Sequence, residues 1–240
     1  MKYDYQSIGL SEKFSLKEER CAIGDNLSEQ DKSEIEKIWN DEMARKQGHL
    51  FNGRLFSLIA REPEKIIGGF VDYQLYLAGL KNPLLKNILP IVPISVSCIT
   101  CCESFVLIGR RSPFVTQFPG FYELAPSGGI EPDSIINGEV NLYRQVHLEL
   151  EEETGLSADF IESSRLFGII HDPEFDCIDL CVIIQMKRDV HNRSLQNTPE
   201  YTELKWIPLS KISVFCQEHA ERIVPASQFL LFKLYLARYR

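Results

Sequence analysis

The sequence predicts a mixed α/β (α+β) fold, and three observations carry that reading. Runs dense in β-branched and apolar residues, such as PISVSCIT and CIDLCVIIQMK, have the texture of buried strands. Segments with helical spacing of apolar residues, such as SEQDKSEIEKIW and NLYRQVHLELEEET, are interleaved with them along the chain. No period of about 20 to 50 residues repeats, which excludes a solenoid or propeller.

Element by element, the first 20 residues are polar and weakly periodic and are assigned no structure. Ser28 is a candidate N-cap for a helix through SEQDKSEIEKIWNDEMARK, with Ile35, Ile38 and Trp39 on its apolar side. RLFSLIA and KIIGGFV flank REPE, a proline-containing turn signal, and read as a hairpin. DYQLYLAGL reads as a short helix closed by Gly79. Pro83, Pro90 and Pro93 then punctuate the chain, and a boundary is expected near residue 90. That divides a small N-terminal α+β domain (1–90) from a second domain (91–240). In the second, PISVSCIT and SFVLIGRRS are strands, followed by a Pro/Gly-rich turn and FYELAPSGGIEP. A helix is expected from about Gly138 to Thr154, stopped by Gly155. RLFGIIHD and CIDLCVIIQMK are strands joined by the acidic loop HDPEFD, and ELKWIPL is a further short strand. ISVFCQEHAERI and PASQFLLFKLYLARYR are helices, the second amphipathic enough to pack on a sheet.

Composition narrows the function classes. The 240 residues carry 26 Lys+Arg against 34 Asp+Glu, a net charge of −8. That balance argues against a sequence-independent nucleic-acid binder, whose affinity rests on neutralising phosphates. A small phosphate-bearing substrate stays open, because a metal ion reverses the local sign of charge. No apolar run reaches the roughly 18 to 20 residues of a membrane-spanning helix. MKYDYQSIGLSEKF also lacks the charge and hydropathy pattern of a signal peptide. Seven cysteines, an odd number, suggest free thiols in a reducing, cytoplasmic setting rather than a disulfide framework. Cys98, Cys101 and Cys102 look superficially like zinc ligands, yet they lie in a β-branched run with no second ligand pair, so buried strand thiols are the expectation.

The chemistry concentrates in GGIEPDSIINGEVNLYRQVHLELEEETGL. At about 100° per residue, Glu149, Glu152 and Glu153 fall near 0°, 300° and 40° and share one helix face. Leu142, Val146 and Leu150 form the neighbouring apolar stripe, near 20°, 60° and 100°, that would dock the helix on a sheet. Like charges so close repel, and a hard divalent cation with oxygen ligands turns that repulsion into ligation.

This stretch resembles the Nudix hydrolases, whose signature is Gly-x5-Glu-x7-Arg-Glu-hydrophobic-x-Glu-Glu-x-Gly-hydrophobic. The second half corresponds to Glu149-Leu150-Glu151-Glu152-Glu153-Thr154-Gly155-Leu156, and the opening glycine to Gly129. VLIGRRSPFVTQFPGFYEL ahead of it matches the family's strand, arginine-bearing turn and Pro-Gly run. Two departures stand out. Gly129 precedes Glu149 by 20 positions where the family has about 15, and the five extra residues are expected as a loop in EPDSIINGE. The motif arginine, which orients the acids in the family, is replaced by Leu148, with Arg144 one turn earlier and Gln145 facing the carboxylates. IWNDEMARKQGHLFNGRLFSL and GFVDYQLYLAGL further resemble the forepart of the uridine-diphosphoglucose pyrophosphatase type.

The resemblance implies a Nudix α/β/α sandwich with a mixed sheet, and hydrolysis of a diphosphate linked to another moiety into two monophosphates. It implies Mg2+ (or Mn2+) held by Glu149, Glu152 and Glu153, with the Gly128 carbonyl as a further ligand. Arg110, Arg111 and Gln145 are expected at the substrate. The general base is expected in the HDPEFD loop, at Glu174, with His171 in a supporting role. Phe118, Phe121 and Tyr122 could stack on a nucleobase, although core packing is their ordinary use. The expected partner is a small nucleoside diphosphate derivative, most simply a nucleotide sugar such as uridine-diphosphoglucose, with neither nucleic acid nor membrane. ADP-ribose, a dinucleotide, a coenzyme A derivative and a catalytically silent module are the alternatives. The N-terminal domain would close over the substrate, form a homodimer interface, or both.

Overall fold

The computed structural model describes residues 4–7, 14–48, 50–172, 176–196 and 198–237. In chain order the elements are β1 (Asp4–Ser7), β2 (Ser15–Glu18), α1 (Glu29–Arg45), β3 (Arg54–Glu62), β4 (Lys65–Asp72), α2 (Tyr73–Lys81) and α3 (Pro83–Ile88). They continue with β5 (Ile94–Cys102), β6 (Phe105–Arg111), β7 (Tyr122–Leu124), β8 (Ser127–Gly129), β9 (Ile135–Ile136) and β10 (Glu139–Val140). The last are α4 (Leu142–Thr154), β11 (Ile161–Asp172), β12 (Cys177–Met186), β13 (Tyr201–Pro208), α5 (Ile212–Glu218) and α6 (Pro225–Ala237).

The larger sheet runs β1-β11-β12-β5-β6-β13, with β7 on β6 and β8 on β5. It is mixed, because β12 and β5 run parallel while the other pairs are antiparallel. Side chains alternate across β5, so Val96 and Cys98 face one side and Ile99 and Cys101 the other. Val146 and Leu150 of α4 pack on the first side, and Phe215, Leu230 and Leu231 of α5 and α6 pack on the second. The expected α/β/α sandwich is therefore present, and the strand cysteines are free thiols within it.

The second sheet, β3-β4-β2-β10-β9, lies against the first. Phe56, Ile66 and Leu16 join the core beneath α4, while Val71 packs with Ile35 and Tyr76 under α1 and α2. Each sheet draws strands from both sides of residue 90: β1 pairs with β11, and β10 pairs with β2. Leu58 N donates to Val92 O at 2.9 Å across the same junction. Among the described residues no helix is long and apolar enough to cross a membrane.

The Ser28 cap closes a reciprocal box with Asp31, and the 54–72 hairpin forms as expected. Three local expectations are corrected. Gly79 does not end its helix; α2 runs on to Lys81, and Gly79 instead faces the backbone of α3, where a Cβ would stand 3.6 Å from the Lys86 Cα. The insertion EPDSIINGE is no loop, because Ile135–Ile136 and Glu139–Val140 pair as a hairpin that edges the second sheet. Asn137 and Gly138 supply its two positive-φ positions, 53° and 78°, the pattern of a type I′ turn. The hairpin also consumes the first residues expected of the helix, so α4 begins at Leu142, with the Asn141 side chain accepting from Arg144 N.

Candidate functional site

The site is built where α4 crosses β8. Apolar Val146 and Leu150 fix the rotation of α4 on the sheet, and that rotation turns Glu149 and Glu153 inward. Each is only 6% exposed, while Glu152 is exposed on the same helix. Gly128 permits the approach: a Cβ there would stand 2.2 Å from both Glu149 carboxylate oxygens.

Both buried acids are held by neutral donors. Gln145 Nε2 donates to Glu149 Oε1 at 2.8 Å and to Gly129 O at 2.7 Å, while Gln145 Oε1 accepts from Glu131 N at 2.8 Å. Ser127 N donates to Glu153 Oε2 at 2.9 Å, and the Tyr201 hydroxyl lies 3.2 Å from the same oxygen and 2.9 Å from Glu123 Oε1. Glu123 in turn accepts from Arg111 Nη1, and Arg111 Nε donates to Gln117 O at 3.1 Å. Burial, reinforced by Glu131 and Glu152, pushes the Glu149 pKa up to about 8. Burial and the neighbouring charges of Glu149 and Glu123 drive Glu153 upward as well.

Beside these groups opens a cavity of about 1120 Å³ lined by residues of both layers. Glu123, Glu131, Asp172, Asp179 and Glu200 are among its acidic lining residues, and Phe51, Tyr73, Tyr76 and Phe114 among its aromatic ones. Phe51 and Phe114 are 84% and 44% exposed. The 112–120 turn is pinned to the N-terminal layer: Tyr73 Oη lies 2.7 Å from Thr116 Oγ1, Gln117 Nε2 donates to Tyr76 Oη at 3.1 Å, and Lys46 Nζ donates to Val115 O at 2.9 Å.

The sequence-derived residues divide clearly. Glu149 and Glu153 come together; Glu152 shares their helix but faces outward. Among the described residues no three His, Cys, Asp or Glu side chains converge as a metal-binding group. Gln145 is fully buried with its amide spent on Glu131, Gly129 and Glu149, so it orients an acid instead of meeting substrate. Arg111 lines the cavity, whereas Arg110 points to the opposite face, donating to Gly120 O beside Tyr122. The Gly128 carbonyl is corrected too. Cys98 N→Pro126 O and Ile130 N→Ile94 O place Gly128 at a hydrogen-bonded ladder position opposite Val96, so Gly129 is the glycine whose carbonyl turns to α4. Tyr122 packs on Phe215 and His219, and His171 Nε2 lies 3.4 Å from Asp176. Glu174 lies outside the described residues; Asp172, on the same connection, lines the cavity.

Two residues escaped the sequence reading. Tyr201 carries no local motif and reaches the site only through sheet pairing. Glu200, exposed at the cavity, contributes to the upward push on both Glu149 and Glu153.

The donor set fits a hard divalent cation. Glu149 and Glu153 offer buried carboxylate oxygens that, among the described residues, receive hydrogen bonds from neutral donors alone, while Arg111 is paired with Glu123.

Comparison with known proteins follows the same lines. The NUDIX domain matches residues 92–228, more than half of the chain. No curated protein matches. Among solved structures, the chain is similar to the Deinococcus radiodurans protein DR0079, with 16% identity and a TM-score of 0.50 over 76% of this chain and 99% of that one. It is also similar to a MutT protein of Methanosarcina mazei Go1, at 23% identity and TM-score 0.43 over 61% of this chain and 94% of that one. A bifunctional NMN adenylyltransferase/ADP ribose pyrophosphatase of Francisella tularensis, complexed with AMP and a Mn ion, matches at 15% identity and TM-score 0.47. That match covers 75% of this chain and 55% of the Francisella chain.

Proposed function

The chain belongs to the NUDIX family of pyrophosphohydrolases, and we propose that within it the substrate is a nucleoside diphosphate linked to a further moiety, a nucleotide sugar such as uridine-diphosphoglucose, cleaved to two monophosphates. One observation carries the reading. The cavity beside Gly128 is lined both by acids, Glu123, Glu131, Asp172, Asp179 and Glu200, and by aromatic residues, among them Phe51, Tyr73 and Tyr76 of the N-terminal layer, the two kinds of group a metal-bound nucleotide requires.

Glu149 and Glu153, with Glu152 swinging in from the surface, would hold Mg2+ or Mn2+. When bound, that ion supplies neutralisation of the diphosphate and a lowered pKa for the attacking water. Gln145 fixes the Glu149 carboxylate, and Arg111, which lines the cavity, brings a guanidinium for the non-bridging oxygens. The pinned 112–120 turn encloses the substrate and limits water. The attacking water loses its proton to Glu174 or to Glu200. The pH profiles of Glu174→Gln and Glu200→Gln separate these two, since loss of the base removes the acidic limb of the rate profile.

The test is monophosphate release from uridine-diphosphoglucose, ADP-ribose, NADH, coenzyme A and a nucleoside triphosphate, with Mg2+ or Mn2+, by the wild type and Glu153→Gln. Metal-dependent turnover of the sugar nucleotide that collapses in the variant is expected. Turnover of another member discards the nucleotide sugar. No turnover with metal binding intact identifies a silent nucleotide-binding module.

A further inference from the structure

We propose that Tyr201 is a positioning residue that sets Glu153 for its cation, taking over the orienting task left open by Leu148. The inference rests on the metal-dependent reading above and adds to it a residue 48 positions away from the acid it serves.

Tyr201 is fully buried at the start of β13, where the ladder with β6 slips between Tyr201 and Glu203. Its ring crosses β6 at Gly109, where a Cβ would stand 2.5 Å from the Tyr201 Cδ1. Only that bare backbone lets the ring lie flat across the strand, and the hydroxyl emerges between Glu123 and Glu153, 2.9 and 3.2 Å away. A phenol has one proton to give. The Tyr201 hydroxyl stands within hydrogen-bond reach of both carboxylates, and Glu123 Oε1 also accepts from Arg111 Nη1, so the phenol ties Glu153 to the Arg111–Glu123 pair.

The consequence is geometric. A free glutamate samples many rotamers, and fixing them costs on the order of a rotamer-rich side chain's entropy. Tyr201 and Ser127 N both bind Oε2, so the carboxylate is anchored through one oxygen and the other, Oε1, is left for the ion. The donors are also neutral. A guanidinium in hydrogen-bond contact would offset the charge that attracts the cation, whereas a phenol and an amide leave it whole. The chain's own arginine stands one carboxylate further back, on Glu123. Arg111, Glu123, Tyr201 and Glu153 thus form one relay from guanidinium to metal ligand, like the outer-shell partners that orient ligands in metal sites.

The experiment measures Mn2+ binding by the paramagnetic resonance of the free ion, without substrate, and then kcat and KM at a series of Mg2+ concentrations. Tyr201→Phe removes one hydroxyl and keeps the ring. It is expected to bind Mn2+ at least about tenfold more weakly, to need correspondingly more Mg2+ for half-maximal rate, and to keep its substrate KM. Tyr143→Phe, an exposed tyrosine of α4, should match the wild type. Gly109→Ala displaces the ring without touching a polar atom and should reproduce the loss; it carries the test if Tyr201→Phe melts too low to assay. Wild-type Mn2+ affinity in either folded variant overturns the proposal. Weakened Mn2+ binding in a protein that hydrolyses no diphosphate would fell the substrate reading and uphold this one.

Discussion

Glu42 in the N-terminal layer and the Glu149–Glu153 pair on α4 expose similarly little surface, 8% against 6% each. Glu42, however, lies near the surface with little protein packed around its carboxyl while the α4 acids are deeply enclosed, and their pKa values move in opposite directions. Burial pushes Glu42 up, but hydrogen bonds and charge from Lys81 and Arg45 outweigh it and bring its pKa below the ordinary glutamate value. Lys81 Nζ stands 3.1 Å from one oxygen and Arg45 is paired with the other. Glu149 and Glu153 receive an amide, a phenol and a backbone N–H, and their pKa values rise. The N-terminal acid is electrostatically finished within the chain. The α4 acids are ordered but uncompensated, the condition of a ligand set that completes itself with an external cation.

The comparison breaks first at the acids themselves. Glu149→Gln or Glu153→Gln should lower metal-dependent turnover by more than about 100-fold, beyond the usual loss of an outer-shell partner. At alkaline pH, where the folded acids lose their protons, the same changes should leave the melting temperature of the metal-free protein unchanged or higher, since each then removes a buried charge with no cation beside it. Steady-state kinetics and calorimetry check the pair of outcomes.

Titration sharpens the contrast. With Glu149 raised to about 8, the folded protein keeps a proton that the unfolded chain releases near its ordinary value. Between those values the unfolded state binds fewer protons, so metal-free stability falls as pH rises, up to the region of pH 8. Mg2+ protection should grow over the same window, read as a melting-temperature increment that widens with pH. Glu42, lowered, has the opposite sign: its contribution is present above the ordinary glutamate value and lost as pH falls through the folded one.

A smaller effect is expected of Glu42→Gln, about 1 kcal/mol because its partners are largely solvated, or roughly 2 to 4 °C in melting temperature, with Mg2+ binding untouched. Smallest of all, Tyr73→Phe unpins Thr116 and should raise KM about fivefold at constant kcat, the worth of one hydrogen bond of about 1 kcal/mol.

Much of the site was legible because it is local. Helical period alone places Glu149 and Glu153 beside Val146 and Leu150, and Gly155 ends the helix where expected. Glu152 shares the period but, at about 300°, sits past the edge of the buried stripe and is exposed. The 135–140 hairpin carried a readable sign, Asn137-Gly138 after the β-branched pair Ile135-Ile136, but its partner strand β2 lies about 120 residues earlier, and no local pattern names that pairing. Tyr201 was illegible for the same reason: its role is created by a register slip and a glycine on another strand. Leu148 marked a vacancy in the motif without saying what fills it.

The most direct test of the account is a Mg2+ titration of the thermal midpoint at pH 8.5, comparing the wild type with a Glu149→Gln/Glu153→Gln double variant. The wild type should gain several degrees in a saturable manner, and the double variant should gain none. An equal gain in both, or none in either, would contradict the claim that these two acids await a cation.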